Sequence, residues 1–411
     1  MGTAQLKYWI GAGLGLLIVA GGVAWALVAP AEDELTIYAS LPLQGTLHER
    51  SADMDRGMRL ALKEARNRAG DFKIRYRLLD DSSSKDRGWT EARVARNANR
   101  AADDEHTAAY LGEFNSGATE ISILILSGKR VPQISPGSTK VGLTSKGPGA
   151  GGGEPDRYYQ GDRNFVRVVP NDTVQGRALA AIMEEDGCRR IGMLNDQEPY
   201  GAGLARNVRV AARQRSMPIV LDGSFEKTTD DFDPQAHRAA RLHVDCFLFS
   251  GDSKSNAELV YGAMYRALPA GTRLYGGDGV SDTEFTDLVP AKIASHMQLT
   301  TPAIAPAGLA ETGKRFFARY ENEYPDRPDP DPYAIYAYES MKLALDAIER
   351  SGSGEREDII KALFATKNHQ SVLGTYSIDR NGDTTLTDYG RFDIKDGKPR
   401  FRQTIDTALA Q

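Results

Sequence analysis

Two segments that each follow a predicted strand carry small hydrogen-bond donors of the kind that an anion-binding site needs. After the apolar run ending at Gly112 the chain reads EFNSG and then enters a predicted helix, which places Asn115 and Ser116 at the helix N-terminus. Backbone N–H groups and a hydroxyl at that position suit a carboxylate or another anion. After the run ending at Ile134 the chain reads SPGST over residues 135–139, which is small and rich in hydroxyls. These segments predict one half of a binding site, the half that holds a negative group.

Three later segments carry the opposite chemistry, an aromatic ring and carboxylates. They follow predicted strands and include Tyr200, Asp252 and Asp278. In open α/β sheets, ligands bind at the carboxyl ends of the strands, so all five segments are expected at one cleft. A zwitterion held between the two sets would be neutralised at both ends. Ordinary helix capping explains any one segment alone, but five of them together favour a cleft.

Motifs for catalysis and for metal binding are incomplete in this chain. The Gly-rich stretch 149–153 lacks the Gly-Lys-Ser/Thr ending of a phosphate loop. Asp379, Asn381 and Asp383 resemble the start of a calcium loop, but Gly390 stands where the loop needs a glutamate, so a hairpin turn is the better interpretation. The six histidines have no metal-ligand spacing. The sequence therefore predicts a protein without catalytic residues, metal or cofactor.

The elements that must position these segments alternate between strand and helix. The alternation runs from residue 35 to 134, stops at the Gly-rich stretch 147–164, and restarts from 173 to 277. Such alternation predicts an α/β fold, here with two doubly wound parallel-sheet lobes behind an N-terminal hydrophobic helix. The C-terminal tail reads as β-hairpins. Longer predicted helices cover residues 54–65, 87–102, 117–127, 173–186, 201–215, 253–268, 309–324 and 331–350.

The two cysteines lie close together in the predicted second lobe. Cys188 precedes the first strand of that lobe, and Cys246 begins its third strand. In a sheet of strand order 2-1-3 these two strands are neighbours, and both sulfurs lie at the same edge. A disulfide and a pair of buried free thiols both fit this arrangement.

The N-terminus carries a membrane-targeting signal. Every residue from Tyr8 to Val28 is apolar or glycine, and this run is long enough to cross a bilayer. Lys7 precedes the run and three acidic residues follow it, which directs the rest of the chain outward. Residues 1–31 are therefore either a signal peptide, with Ala29-Pro30-Ala31 as its cleavage site, or a single transmembrane anchor.

The composition excludes several other classes of protein. The chain has 411 residues and a net charge of −5, which argues against a nucleic-acid-binding protein. Two cysteines are too few for a disulfide-dense scaffold or a cysteine-rich zinc site.

Several short motifs occur along the chain in a fixed order. They include SLPLQG, RGMRLALKEA, GEFNSGAT, VPQISPGST, FVRVVPNDTVQG, DQEPYGAGLA, YGGDG and YAIYAYES. In this order and spacing they resemble the type I periplasmic solute-binding proteins, specifically the leucine/isoleucine/valine-binding family of ABC transporters. The resemblance covers residues 35–405 and implies two lobes that close on a ligand. The implied crossovers lie near 168–170, 300–302 and 371–373, with one lobe at 35–167 plus 302–372 and the other at 168–301 plus 373–411.

The resemblance also implies roles for individual residues. Ser116 and Thr139 match the positions that hold the ligand's α-carboxylate, with Gly137 and Ser138 supplying backbone groups. Asp278 matches the acidic residue that holds the α-amino group, although it is one methylene shorter than the usual glutamate. Tyr200 matches the aromatic residue that closes over the ligand, and Asn115 lies beside Ser116 in the same loop.

Two positions depart from the family pattern and change the expected ligand. Asp252 stands where amino-acid binders carry a tyrosine, and Arg50 stands where they carry another aromatic residue. The pocket is then no longer apolar, which favours a polar amino acid, an amide or a small organic acid over leucine, isoleucine or valine. The stretch 147–164 is an insertion relative to the family.

The resemblance implies a receptor that works outside the cytoplasm and is not an enzyme. It would act as a monomer and deliver its small-molecule ligand to an ABC permease. The alternative is a membrane-anchored ligand-sensing domain that signals to a membrane partner. An exported enzyme and a structural surface protein are further alternatives.

Overall fold

A computed structural model describes residues 33–405 and 407 of the chain. The hydrophobic run 8–28, with the expected signal peptide or anchor over 1–31, lies outside these residues. Within the described part, no helix combines the length and the apolar character needed to cross a membrane.

Strands and helices alternate along the described residues. The strands are β1 (Glu34–Leu41), β2 (Arg68–Ala69), β3 (Phe72–Asp80), β4 (Ser82–Ser83), β5 (Gly88–Trp89), β6 (Thr107–Leu111), β7 (Gln133–Ser135), β8 (Phe165–Arg167), β9 (Ile191–Asn195), β10 (Ile219–Ser224), β11 (Cys246–Ser250), β12 (Arg273–Gly276), β13 (Met297–Thr301), β14 (His369–Ser371), β15 (Gly374–Tyr376), β16 (Tyr389–Lys395) and β17 (Lys398–Ile405). The helices are α1 (His48–Glu64), α2 (Glu91–Asp103), α3 (Ser116–Gly128), α4 (Asp172–Glu185), α5 (Pro199–Gln214), α6 (Asp233–Arg241), α7 (Ala257–Ala267), α8 (Thr283–Leu288), α9 (Ala291–Ala294), α10 (Glu311–Glu323), α11 (Ala334–Ser351) and α12 (Arg356–Phe364).

Two separate sheets define two lobes. The sheet of the first lobe has the strand order β2-β3-β1-β6-β7-β8, and that of the second lobe has the order β10-β9-β11-β12-β13-β16-β17. Both contain the doubly wound order 2-1-3-4-5 in parallel strands, and antiparallel strands are added only at the edges. The α/β fold with two doubly wound lobes is confirmed.

Each lobe has its own hydrophobic core. In the first lobe, α1 and α11 pack on the sheet through residues such as Met58 and Ala337. In the second lobe, β11 is buried along its whole length: Phe247 and Phe249 face one core and Leu248 faces the other. Since alternate residues of a strand point to opposite faces, a strand covered on both sides is apolar throughout.

The chain passes between the lobes three times. The first passage follows β8 and the second follows β13. The third lies between Ile378 and Tyr389, because Tyr376 and Ile378 still pack in the core of the first lobe. This passage is therefore C-terminal to the expected position at 371–373.

Two helices begin four residues later than the sequence predicts. The helix expected from residue 87 begins at Glu91, because Gly88–Trp89 pairs with Ser82–Ser83 as a small hairpin. The helix expected from residue 253 begins at Ala257, because the N–H of Ser255 donates to the Asp252 carbonyl and closes a turn first.

A turn occupies the segment that resembles a calcium loop. Asp379 Oδ1 accepts from the N–H of Asn381 at 2.8 Å and from the N–H of Asp383 at 2.9 Å. Asp383 in turn accepts from Nε of the buried Arg167 at 2.8 Å. These carboxylates therefore hold the turn against the first lobe.

A disulfide joins Cys188 to Cys246 in the second lobe. It links the residues before β9 to the start of β11, and these two strands are adjacent and parallel. Of the two arrangements that fit the sequence, the structure has the bonded one.

Candidate ligand-binding site

The loops at the carboxyl ends of the strands in the two lobes meet each other directly. Tyr333 of the first lobe donates to Asp278 of the second, and Arg50 of the first lobe donates to Ser281 of the second at 3.1 Å. The cavity left between Arg50, Phe114 and Asp252 has a volume of about 10 Å³, close to the space that one water molecule needs. The two lobes are therefore closed on each other.

Asp278 is the carboxylate at the centre of this contact. It follows β12 and is 4% exposed. Its Oδ1 accepts from the Tyr200 hydroxyl and its Oδ2 from the Tyr333 hydroxyl, each at 2.8 Å. Since Tyr200 lies on α5 of the second lobe and Tyr333 precedes α11 of the first, both lobes contribute a donor to one acceptor.

The N-terminus of α3 lies in the same contact region. Ser116 is the first residue of α3, and its Oγ accepts from the N–H of Lys140 at 3.2 Å. A Cβ added at Gly117 would lie 3.2 Å from Pro199, the first residue of α5. The start of a first-lobe helix, with its partial positive charge, therefore faces the second lobe.

The loop over residues 135–139 is held by its own hydroxyls. Ser135 Oγ accepts from the N–H of Gly137 at 3.2 Å and from that of Ser138 at 2.9 Å. The Ser138 hydroxyl bonds to that of Thr119 at 2.5 Å. The N–H groups of Gly137 and Ser138 are thus already hydrogen-bonded within the first lobe, whereas the resemblance implied that they would bind the ligand. The Thr139 carbonyl accepts from the N–H of Asp172 at 2.8 Å.

Arg50 is buried at the boundary between the lobes. It is 2% exposed, and its guanidinium lies 4.9 Å from the ring of Tyr333 and 5.5 Å from that of Phe114. Nε donates to Asp331 at 2.9 Å, while Nη1 is buried without a hydrogen-bond partner among the described residues. Within the described part of the chain, this nitrogen of Arg50 therefore remains unpaired beside the cavity.

Asp252 lines the same cavity from the second lobe. Burial raises the pKa of its carboxyl to about 8, against the opposing effect of Lys254 and with a further rise from Asp196. Lys254 itself lies over the ring of Trp89 in the first lobe, 4.4 Å from its centroid. Asn115, at the opposite wall, has a buried Oδ1 without a partner in the described part of the chain. The cavity is consequently lined by polar and charged side chains together with the apolar Leu47, Trp89 and Phe114.

Sequence reasoning missed Asp172, which begins α4. Its side chain is 0% exposed, and neither carboxylate oxygen has a donor in good hydrogen-bonding geometry among the described residues. Burial and the negative charge of Asp278 raise its pKa to about 8, against the lowering effects of the nearby Thr139 hydroxyl, Arg167 and Lys140. An acidic residue in the first turn of a helix is so common that its position gave no signal.

Tyr333 and Glu113 were also missed. Tyr333 precedes a long apolar helix, so its sequence context indicates a core residue. Glu113 is fully buried under the loop 135–139, where its carbonyl accepts from Ser135 Oγ at 2.7 Å and its side chain from the Tyr110 hydroxyl at 2.6 Å. Burial raises the pKa of Glu113 to about 7. A hydrophilic residue directly after a strand resembles any loop residue.

The chain is similar to known binding proteins over at least 90% of its length. Leu/Ile/Val-binding protein homolog 1 of Brucella abortus is 23% identical over 399 residues, which covers 96% of this chain and 98% of the relative. A leucine-binding protein from Thermotoga maritima superposes with a TM-score of 0.76 at 24% identity, covering 90% of this chain and 98% of that one. A solute-binding protein of an ABC transporter from Rhodopseudomonas palustris, solved with p-hydroxybenzoic acid, has a TM-score of 0.74 at 16% identity, covering 91% and 97%.

The family match covers almost all of the described structure. Residues 34–398 match the periplasmic binding protein family, a span that includes the first sheet, the second sheet up to the start of β17 and every loop of the site. The solved structures from Thermotoga maritima and Rhodopseudomonas palustris superpose on about nine-tenths of this chain, and at 24% and 16% identity they establish its fold. The chain belongs to the periplasmic binding protein family.

Proposed function

We propose that this protein is an extracytoplasmic receptor that closes its two lobes on an amino acid or a similarly small polar solute. One observation carries the proposal: the buried carboxylate of Asp278 accepts hydrogen bonds from both lobes at once. A carboxylate at this position suits a ligand ammonium group. The α3 N-terminus in the facing lobe suits the ligand's carboxylate.

The binding step follows from these charges. Ser116 and Thr139 would hold the ligand's α-carboxylate, aided by the first N–H groups of α3. Asp278 would hold the α-amino group, for which Tyr200 and Tyr333 must yield part of their present hydrogen bonding. Since a polar group left unpaired in a closed cleft costs about 1–3 kcal/mol, a solute with both charged groups would bind more tightly than one that lacks either.

The cavity around Arg50 would select the rest of the ligand. Arg50 Nη1 and Asn115 Oδ1 have no hydrogen-bond partner among the described residues, so they suit a side chain with polar atoms. Once the lobes open and the cavity widens, a polar amino acid, an amide or a small organic acid would therefore pair with these groups better than a purely aliphatic side chain does. The names of the relatives include both leucine and p-hydroxybenzoic acid, so the fold accepts more than one class of ligand.

Delivery of the ligand to an ABC permease is the proposed purpose of binding. The names of the relatives as transporter components support this role. We take the chain to act as a monomer, with lobes at the boundaries expected from sequence except that the first lobe extends to Ile378.

An anchored sensor is the second candidate, and the 21-residue apolar run at 8–28 favours it. Sequencing the N-terminus of the protein isolated from its own membranes separates the two. An intact Met1 supports the anchored form, and a new N-terminus near Glu32 supports export and release.

A ligand screen tests the proposed function. The full-length protein in mild detergent would be heated with amino acids, carboxamides and small organic acids, one at a time. A ligand at 100 times its dissociation constant adds about 2.7 kcal/mol to the free energy of unfolding, which raises Tm by several degrees. A hit among α-amino acids supports the assigned roles of Ser116, Thr139 and Asp278. A hit only among compounds without an amino group contradicts the role of Asp278, and a panel without hits contradicts the proposed ligand class.

A further inference from the structure

The Gly-rich insertion over residues 147–164 folds back onto the first lobe. Glu154 of the insertion is 3% exposed, and its Oε1 accepts from Lys140 Nζ and from the Tyr158 hydroxyl, each at 2.6 Å. The Tyr159 hydroxyl donates to the Leu143 carbonyl at 2.8 Å. The insertion is therefore anchored by a buried ion pair.

The anchor of the insertion is also a neighbour of the ligand site. Lys140 directly follows Thr139, and its N–H donates to Ser116 Oγ at 3.2 Å. One residue thus connects the insertion to both hydroxyl residues assigned to the ligand's carboxylate.

The tip of the insertion reaches the second lobe. Arg206 on α5 donates from Nη2 to the Gly149 carbonyl at 3.1 Å. The contact is tight, because a Cβ added at Gly149 would lie 2.2 Å from Nδ2 of Asn207, which is also on α5. A Cβ added at Gly203 would lie 3.4 Å from the same carbonyl.

We infer that the insertion is a latch between the lobes, in which Gly149 docks on α5 and stabilises the closed form. Gly149 is fixed to the first lobe through Glu154 and Lys140. Arg206 and Asn207, which contact it, belong to the second lobe. Any hinge opening that separates α3 from α5 must break this contact. The latch therefore sets the fraction of closed protein, and through it the ligand's affinity and rate of release.

Glycine substitutions within the same loop provide a matched test. Gly149→Val places a side chain against α5, whereas Gly152→Val is the control because no atom of the described residues lies within 4 Å of a Cβ at that position. Leu124→Cys on α3 and Leu259→Cys on α7 would carry a dye pair, since both leucines are exposed and the native cysteines are bonded to each other.

The distance between the dyes in the ligand-free full-length protein is the first readout. We expect Gly149→Val to move the distribution toward longer distances, and Gly152→Val to leave it unchanged. Identical distributions for Gly149→Val and the parent would overturn the latch.

A second variant covers the case in which Gly149→Val does not fold. Arg206→Met removes the donor to the Gly149 carbonyl from the other side, and Arg213→Met, at an exposed position on the same helix, is its control. We expect the same shift toward longer distances for Arg206→Met alone. Equal behaviour of the two methionine variants would contradict the inference.

A binding experiment rests on the proposed function, with L-glutamine, an amino acid that has a polar side chain, as the probe. If glutamine binds, Gly149→Val and Arg206→Met should each weaken binding by about tenfold, the value of one lost hydrogen bond, and speed its release. Unchanged affinity in both variants contradicts the latch. If glutamine does not bind even the parent protein, the proposed ligand class is challenged, while the dye distances still decide the latch.

Discussion

At the scale of single residues, the site contains two buried aspartates in different surroundings. Asp278 accepts a hydrogen bond on each oxygen, whereas Asp172 has no donor in good hydrogen-bonding geometry among the described residues. Burial without such donors disfavours the charged form, so the pKa of Asp172 is raised.

Asp278→Asn tests the acceptor. The amide keeps the shape of the side chain but removes the charge that would face the ligand's ammonium group. Breaking one side of a buried charge pair costs about 2–5 kcal/mol, so we expect α-amino acid binding to weaken at least thirtyfold by calorimetry. Asp326→Asn, at an exposed position, should bind like the parent. Equal affinities in the two variants would remove Asp278 from the site.

Asp172 predicts a pH dependence of stability. Its pKa in the folded protein is raised to about 8, whereas an aspartate in an unfolded chain titrates near 4. Between those values the folded form binds a proton that the unfolded form lacks, so stability is full at low pH and falls as pH rises toward 8. We expect Tm of the ligand-free protein to decrease from pH 5 to pH 9, and to decrease less in Asp172→Asn. Parallel curves of Tm against pH for the two proteins would show that the pKa of Asp172 is not raised in the folded protein.

At the scale of elements, the disulfide joins two strands that hold site loops. Cys188 and Cys246 are separated by 58 residues, and a closed loop of that length corresponds to about 4 kcal/mol of lost chain entropy in the unfolded state. The loops after β9 and β11 carry Tyr200 and Asp252. The covalent bond therefore supports the second-lobe half of the site.

Reduction of the disulfide is the corresponding measurement. We expect the double variant Cys188→Ala/Cys246→Ala to lose about 2–4 kcal/mol of unfolding free energy, seen as a lower midpoint in urea. A reducing agent should lower the midpoint of the parent by a similar amount and leave the double variant unchanged. A parent protein insensitive to reduction would contradict a stabilising bond.

The order of elements was predictable because each strand is a short apolar run and each helix keeps a 3.6-residue spacing. Residues 246–250 form a strand that is buried throughout, and their run is continuously apolar except at its last residue. Residues 117–127 form a helix, in which the buried residues recur at the spacing of helical turns. The start of α2 was not predictable, because the pairing of Gly88–Trp89 with Ser82–Ser83 is a contact between segments.

The site was predictable only in part, for the same reason. Ser116 and Asp278 follow strands and carry an obvious chemical group. Tyr333 reaches Asp278 only because α11 packs on the first lobe and the lobes close, and a single sequence does not contain that geometry.

At the scale of the whole molecule, the two lobes have separate cores and meet through polar groups. Contacts between them include Ser253 Oγ with Thr46 Oγ1 at 3.2 Å and the Glu49 N–H with Glu284 at 2.7 Å. Opening the lobes therefore exposes little of either core, and hinge motion is separable from unfolding.

Hydrogen exchange should show this separation. When a ligand identified by the screen is added, we expect slower exchange in the loops 112–117, 136–140, 251–256 and 277–282, with the sheets unchanged. A groove of about 730 Å³ beside α11, which includes Lys342 and His369, provides an internal comparison. Slower exchange at 369–375 instead of the four loops would move the binding site to that groove.

The disulfide between Cys188 and Cys246 can form only where the folding chain meets oxidising conditions. Thiols stay reduced in the cytosol and pair in oxidising compartments. A chain that folds before export would therefore complete its first lobe, which contains no cysteine, while the second lobe still lacks its cross-link. The oxidation state of Cys188 and Cys246 thus depends on the compartment in which the chain folds. Recombinant protein made in a reducing cytosol should therefore have a less stable second lobe than protein folded in an oxidising compartment.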